Sequence, residues 1–150
     1  MEKNQRNPQG PINRSTCVKH LAIFTQPFLD LVLNRQKTIE SRFSRVKCAP
    51  FGAVKVGDIV FMKESGGLVL GEFIVRDVIS LSDLANNDLK MMEKQYGKQL
   101  CSSSDPLFWE SRQGCRYATL MHVSKVIRYE KPYPFPKKDR RGWVVLHEVN

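Results

Sequence analysis

The stretch that decides the predicted fold is Lys-Thr-Ile-Glu-Ser-Arg, residues 37–42, in which one apolar residue, Ile39, stands among polar ones. Successive side chains of a β-strand point to opposite faces, so residues two apart share a face. We predict a strand over residues 38–43, with Ile39 and Phe43 on its apolar face. The polar side chains that project from the opposite face are Thr38, Glu40 and Arg42.

Segments with strand character recur on both sides of this stretch. The other predicted strands are rich in β-branched and aromatic residues, and they cover residues 20–25, 59–62, 68–79, 117–129 and 142–148. Pro27 suits the first turn of a short helix, and residues 81–100 are predicted to form a helical insert. This order predicts an α+β fold: a small mixed β-barrel of about five to six strands, with a short helix after the first strand and a helical insert.

The length of 150 residues suits a single domain. Residues 1–16 are mostly polar, so we predict a flexible N-terminal tail followed by one domain over residues 17–150. The sequence has no apolar run long enough to span a membrane and no apolar core of a secretory signal. We therefore expect no membrane partner and a cytoplasmic location, or a nuclear one in a eukaryote.

The net charge of +9 is concentrated in two stretches. Residues 42–55 contain four basic side chains and no acidic one, and residues 125–141 contain seven basic side chains against Glu130 and Asp139. Such stretches attract phosphate backbones, so the pattern favours a polyanion as partner. A lysine-rich surface without a specific partner is the alternative.

Cysteines and histidines lack the close spacing of a metal site. They are Cys17, Cys48, Cys101, Cys115, His20, His122 and His147. Structural zinc sites usually begin with closely spaced cysteine pairs, and no two cysteines here lie that close. We therefore expect free thiols in a reducing compartment, no bound metal and no cofactor.

Several aromatic side chains could stack on nucleic-acid bases, although packing in the core is the usual role of aromatics in a small barrel. These side chains are Phe24, Phe108, Trp109, Tyr117, Tyr133 and Phe135. Trp109 and Tyr133 lie beside predicted loops and are therefore the first choices.

Residues 35–42 also resemble the signature of ASCH domains, which runs Gly, any, Lys, any, any, Glu, any, Arg. Lys37, Glu40 and Arg42 match its three charged positions. Further features that fit the family plan are Gln26-Pro27 after the first strand, Val56-Gly57-Asp58 before a strand and Tyr117-Ala118-Thr119-Leu120 in a later strand. The resemblance covers residues 19–148 and implies a PUA-like β-barrel with a cleft beside the signature.

One position departs from that signature. Arg35 stands where the family has its glycine. Because glycine permits a tight turn with positive φ, we expect Asn34 to take over that conformation, or the turn to differ by one residue.

The ASCH resemblance implies RNA as the ligand, since domains of this family are generally inferred to bind RNA. The residues expected to bind RNA or a nucleotide are Gln26, Lys37, Thr38, Glu40, Arg42, Tyr117, Lys137, Lys138, Arg140 and Arg141. The last four form a basic loop, for which phosphate contact and simple solvation are both open. A protein partner is compatible with the sequence as well, and the oligomeric state is left open.

A few relatives of ASCH domains are enzymes, which leaves catalysis open. One bacterial branch removes an acyl group from N4-acetylcytidine, and another member is described as a ribonuclease. For an enzyme, the resemblance points to Lys37 and Glu40 as catalytic residues, although Glu40 stands where the amidohydrolase branch has threonine. The glutamate which that branch uses would come from Glu93 or Glu110. An interaction domain with incidental charge is the remaining alternative.

Overall fold

Six β-strands and two α-helices form the part of the chain that the computed structural model describes, residues 17–137 and 139–147. The strands are β1 (Lys19–Phe24), β2 (Ile39–Ser44), β3 (Ile59–Glu64), β4 (Val69–Leu81), β5 (Tyr117–Tyr133) and β6 (Trp143–Leu146). The helices are α1 (Phe28–Leu33) and α2 (Asn86–Leu100). No helix within these described ranges is long and apolar enough to cross a membrane. The predicted N-terminal tail, residues 1–16, lies outside the described residues.

The six strands belong to one mixed sheet in the order β2-β5-β4-β3-β1-β6. β1 and β3 are parallel, and the other neighbouring strands are antiparallel. The register of β4 against β5 shifts at three places, including the step from Val75 to Asp77. Because such bulges bend a strand and increase its twist, the sheet curls into a half-barrel. The predicted mixed α+β fold, with a short helix after the first strand and a helical insert, is confirmed.

Arg42 on β2 joins the two edges of the curled sheet. β2 and β6 stand at opposite ends of the strand order, yet Arg42 Nη1 donates to the carbonyl oxygen of Gly142, directly before β6, at 3.0 Å. Arg42 Nη2 donates to the carbonyl oxygen of Ile23 on β1 at 2.9 Å. We call this junction, with Ile23 and Gly142 on one side and Arg42 on the other, the seam.

Buried apolar side chains form two clusters around the sheet. The first joins α1 to β1, β3, β4 and β5, and its members include Ala22, Leu29, Val32, Val60, Phe73 and Met121. The second joins α2 to β2 and β5, and its members include Ile39, Leu89, Met92, Leu100, Phe108 and Leu120. Phe43 packs against the second cluster, so Ile39 and Phe43 share the apolar side of β2 as predicted.

The turn between α1 and β2 differs from the prediction for Asn34. Arg35 itself has the positive φ, 69°, whereas Asn34 has a φ of −92°. A left-handed conformation costs a non-glycine residue about 1–2 kcal/mol. Arg35 Nη2 donates to the carbonyl oxygen of Val126 on β5 at 2.8 Å, and this long-range contact holds the arginine in the position of the signature glycine.

Most strand boundaries differ from the predicted ones by one or two residues, and the largest differences are in the second half of the chain. α2 begins at Asn86, not at residue 81, because β4 continues to pair with β5 as far as Leu81, opposite Ala118. β5 extends to Tyr133, where it pairs with Val69. β6 ends at Leu146, and the predicted end of that strand at residue 148 lies outside the described residues.

A buried polar network fixes β6 and the turn before β3 to β1. His20 on β1 is fully buried, and its Nε2 lies 2.8 Å from Asp58 Oδ2. Trp143 Nε1 on β6 donates to His20 Nδ1 at 3.0 Å. Since an indole nitrogen can only donate, Nδ1 must accept, and the imidazole proton lies on Nε2, facing Asp58. His20 is therefore a core histidine with both ring nitrogens bonded.

We predict that Trp143→Phe destabilises the protein by roughly 1–3 kcal/mol, the usual cost of a buried acceptor left without its donor. Trp109→Phe is a matched control, because Trp109 Nε1 is buried without a hydrogen-bond partner in the described part of the chain. Urea unfolding of both variants measures the difference. Equal losses of unfolding free energy in the two variants would show that the smaller ring accounts for the whole loss and that the bond to His20 adds no stability.

Candidate functional site

The seam opens into a cleft of about 320 Å³. Its walls come from β1, from the start of α1, from β2 and from the segment after α2. Four phenylalanines line it: Phe24, Phe28, Phe43 and Phe108. The charged residues of the lining are Lys37, Glu40, Arg42 and Arg112. Three cations thus face one carboxylate between aromatic walls.

Lys37 lies deepest among the charged residues of the cleft, with 2% of its surface exposed. Its Nζ donates to the carbonyl oxygen of Leu100 at 2.8 Å and lies 3.5 Å from Glu40 Oε1. Leu100 ends α2, so the ammonium group also meets the negative end of that helix. Burial lowers the pKa of Lys37 below its ordinary value, and the Glu40 carboxylate opposes this shift. Lys37 is therefore a buried amine with a direct path to the cleft.

Glu40 and Arg42 form an ion pair on the polar side of β2. Arg42 Nε donates to Glu40 Oε2 at 2.8 Å. The Arg42 guanidinium also lies 5.0 Å from the ring centre of Phe24 and 5.2 Å from that of Trp143. Together with its two bonds across the seam, these contacts engage all three nitrogens of Arg42. The arginine holds the carboxylate in place and has little freedom to follow a ligand.

Arg112 is a cleft residue that the sequence did not indicate. It ends the short 3-10 turn Glu110–Arg112, and its Cζ lies 3.6 Å from the ring centre of Phe108. Burial lowers the pKa of Arg112, and the charge of Glu40 opposes that shift. Arg112 belongs to no recognisable sequence motif. It reaches the cleft because it packs on Phe108 in the folded chain. The nearest indication in the sequence was the set of aromatic side chains expected to stack on bases, because it included two residues of the cleft, Phe24 and Phe108.

Three other residues expected at the site do not line the cleft. Gln26 is exposed and its side chain bonds to Asp30 and Glu64, at the start of α1 and the end of β3. The Thr38 side chain is exposed, while its backbone bonds to α2 and β5. Tyr117 packs on Phe51, with ring centres 5.1 Å apart. Lys37, Glu40 and Arg42 are the expected residues that the structure brings together.

The basic loop reaches the seam through Gly142 but stays outside the cleft. Asp139 accepts hydrogen bonds from Arg141 Nε at 2.9 Å and pairs with Lys137. These bonds lower the pKa of Asp139, with the Arg141 side chain as the largest cause. Arg140 is exposed, and Lys138 lies outside the described residues. Lys137 and Arg141 are thus partly neutralised within the loop.

The comparisons with known proteins give structural matches only. No protein-family model matches the chain, and no curated protein sequence does. A crystal structure of ASCH from Zymomonas mobilis is similar to this chain with a TM-score of 0.66 and 10% identity, covering 87% of this chain and 88% of that one. Two mutants of the Zymomonas mobilis protein give the same TM-score at 11% identity, covering 87% of this chain and 89% and 91% of theirs.

A curled mixed sheet with a helix after its first strand and a helical insert defines an α+β fold. Within that class, the chain has the ASCH domain fold over most of its length. The resemblance inferred from residues 35–42 is thereby confirmed for the fold. Because the identities are only 10% and 11%, the similarity establishes the fold and nothing beyond it.

We predict that Lys37→Met changes the pH dependence of stability in alkaline solution. Because the pKa of Lys37 is lowered in the folded chain, the unfolded chain binds more protons between the folded and unfolded pKa values. The unfolding free energy of the wild type should therefore rise with pH in that window relative to Lys37→Met. Urea unfolding between about pH 7 and about pH 11 measures the difference.

The matched control for this measurement is Lys94→Met, which removes an exposed lysine from α2. Its difference from the wild type should stay constant over the same range, since no burial acts on that side chain. If the difference in unfolding free energy between the wild type and Lys37→Met were also constant with pH, it would contradict a lowered pKa for Lys37.

Proposed function

We propose that this protein binds single-stranded RNA, with one nucleotide held in the cleft. The observation that carries the proposal is the combination of four phenylalanines with three cations and one carboxylate in a single lining. Aromatic side chains stack on bases whatever their sequence, and cationic grooves follow phosphates. The family resemblance implies the same ligand class, and the net charge of +9 favours a polyanion.

The size of the cleft supports a single nucleotide. A volume of about 320 Å³ lies at the lower end of the range for ligand pockets, and a double helix does not fit into it. The Glu40 carboxylate is held by Arg42 and can accept from the N–H groups of a base edge. Ser41 and Ser111 add hydroxyl groups to the lining. The rest of an RNA strand would leave the cleft past Gly142 and the basic loop.

We predict that RNA affinity falls steeply with salt and that Arg140→Gln makes the dependence shallower. Each phosphate contact contributes about 0.7 to the slope of log affinity against log salt for a single strand, so the variant should lose about that amount. Fluorescence anisotropy with a labelled single-stranded RNA measures the slope. Arg76→Gln is the control, because Arg76 lies on β4 in the middle of the sheet, away from the seam.

A second variant in the same assay tests the cleft itself. Ser111 is exposed on the cleft wall, so Ser111→Trp should fill the space and lower RNA affinity at least about tenfold, with the fold intact by circular dichroism. Ser104→Trp places the same side chain on an exposed position that does not line the cleft. Equal affinity of Ser111→Trp and the wild type would exclude the cleft as the binding site.

We propose hydrolysis of RNA or of a modified nucleoside as a second candidate function. The observation that favours it is the buried Lys37, whose lowered pKa leaves more of the amine unprotonated, since an unprotonated amine can act as base or nucleophile. Of the two possible reactions, removal of an acyl group from a nucleoside has less support than cleavage of RNA. Glu93 and Glu110 are both exposed and line no part of the cleft, so neither of the two glutamates expected to serve the role of the acyl-removing branch's glutamate supports it.

We predict that any such hydrolysis disappears in Lys37→Met. The assay incubates wild type and variant with end-labelled RNA and, separately, with N4-acetylcytidine, and follows the products by electrophoresis and chromatography. Lys94→Met should retain wild-type turnover. Absence of products from both substrates with the wild type would leave RNA binding as the function and remove the enzymatic one.

A further inference from the structure

The charges of the cleft are unevenly paired. Glu40 is bound on one side by Arg42 at 2.8 Å and on the other by Lys37 at 3.5 Å. Arg112 has no carboxylate within 4.0 Å in the described part of the chain. Glu40 and Asp105 act on it only over longer distances. The positive charge of Arg112 is therefore the one in the cleft that no ion pair of the described residues neutralises.

Local contacts hold the Arg112 guanidinium in a fixed orientation. It stacks on Phe108 at 3.6 Å and lies 5.4 Å from the ring centre of Phe43. Arg112 Nη1 donates to the carbonyl oxygen of Phe108 at 2.8 Å and to Ser111 Oγ at 3.1 Å. The group is thus ordered through one nitrogen and one ring face, before any ligand arrives.

The opposite edge of the same guanidinium has donors without acceptors. Nε is buried and has no hydrogen-bond partner among the described residues, and Nη2 donates to no described side chain or carbonyl. Nε–H and Nη2–H point the same way and form the edge with which arginine binds two oxygens of one phosphate or carboxylate. A buried donor without a partner is uncommon in folded proteins, and Arg112, to which this donor belongs, is one of the residues that line the cleft.

We propose that Arg112 is the phosphate-binding residue of the cleft and that its Nε and Nη2 donate to two oxygens of one phosphate group of the bound nucleotide. This inference rests on the proposed function, because that function places a nucleotide in the cleft. Glu40 and Arg42 then face the base or ribose, and Arg112 makes the cleft select nucleotides over nucleosides. The partly buried, stacked position of the guanidinium strengthens its attraction for an anion.

The test compares the affinity of the full chain for each of the four nucleosides with that for its 3′,5′-bisphosphate, by isothermal titration calorimetry. The wild type should bind a bisphosphate at least about tenfold tighter than the nucleoside. Arg112→Gln should reduce that ratio to about threefold or less, because the affinity for the bisphosphate falls more than the affinity for the nucleoside. Arg112→Lys keeps the charge but lacks the two-donor edge, so it should restore only part of the ratio.

Arg45→Gln is the matched control, since Arg45 contacts Gln113 near Arg112 without lining the cleft; its ratio should equal that of the wild type. An unchanged ratio in Arg112→Gln overturns the inference, and RNA binding by the same variant at wild-type affinity would leave the proposed function standing. If no nucleoside or bisphosphate binds, thermal stabilisation by inorganic pyrophosphate decides. If pyrophosphate stabilises the wild type but not Arg112→Gln, Arg112 binds an anion but the proposal of a bound nucleotide is rejected. If it stabilises neither protein, the proposed anion site and the proposed nucleotide are both rejected.

Discussion

The bonds that Arg42 makes across the seam are the constraint on which the site depends. A sheet of six strands that closed through its backbone would leave no gap between its first and last strands. Here a side chain completes the closure, with Ile23 and Gly142 as acceptors. The gap that remains beside the guanidinium is the cleft. The same side chain, Arg42, therefore closes the fold and lines the site.

The seam also connects the cleft to the interior of the protein. Trp143 stacks against Arg42 on one side and donates to His20 on the other. On the far side of Arg42, Glu40 links it to Lys37. Buried polar groups are costly unless each finds a partner, and this series of contacts gives every member one. The charged site is thus supported by the same residues that fix the strands.

Once residues 38–43 were predicted as a strand, the shared side of Glu40 and Arg42 followed, because side chains two residues apart on a strand point to the same face. Lys37 entered through the family signature. The positive φ of Arg35 could not be read from the sequence, since a contact with Val126 on β5 stabilises it. The same holds for Arg112, which reaches the cleft by packing on Phe108. What local periodicity specifies was predictable, and what distant contacts specify was not.

The attachment of Lys37 to the last carbonyl of α2 limits how this chain can vary in length. One residue added within a helix turns its end by about 100° and moves it by about 1.5 Å. Such an insertion would carry Leu100 O away from the ammonium group and Gln99 O away from the Thr38 amide. The number of residues between Leu89, which packs in the second cluster, and Leu100 is therefore fixed by the core on one side and by the cleft on the other.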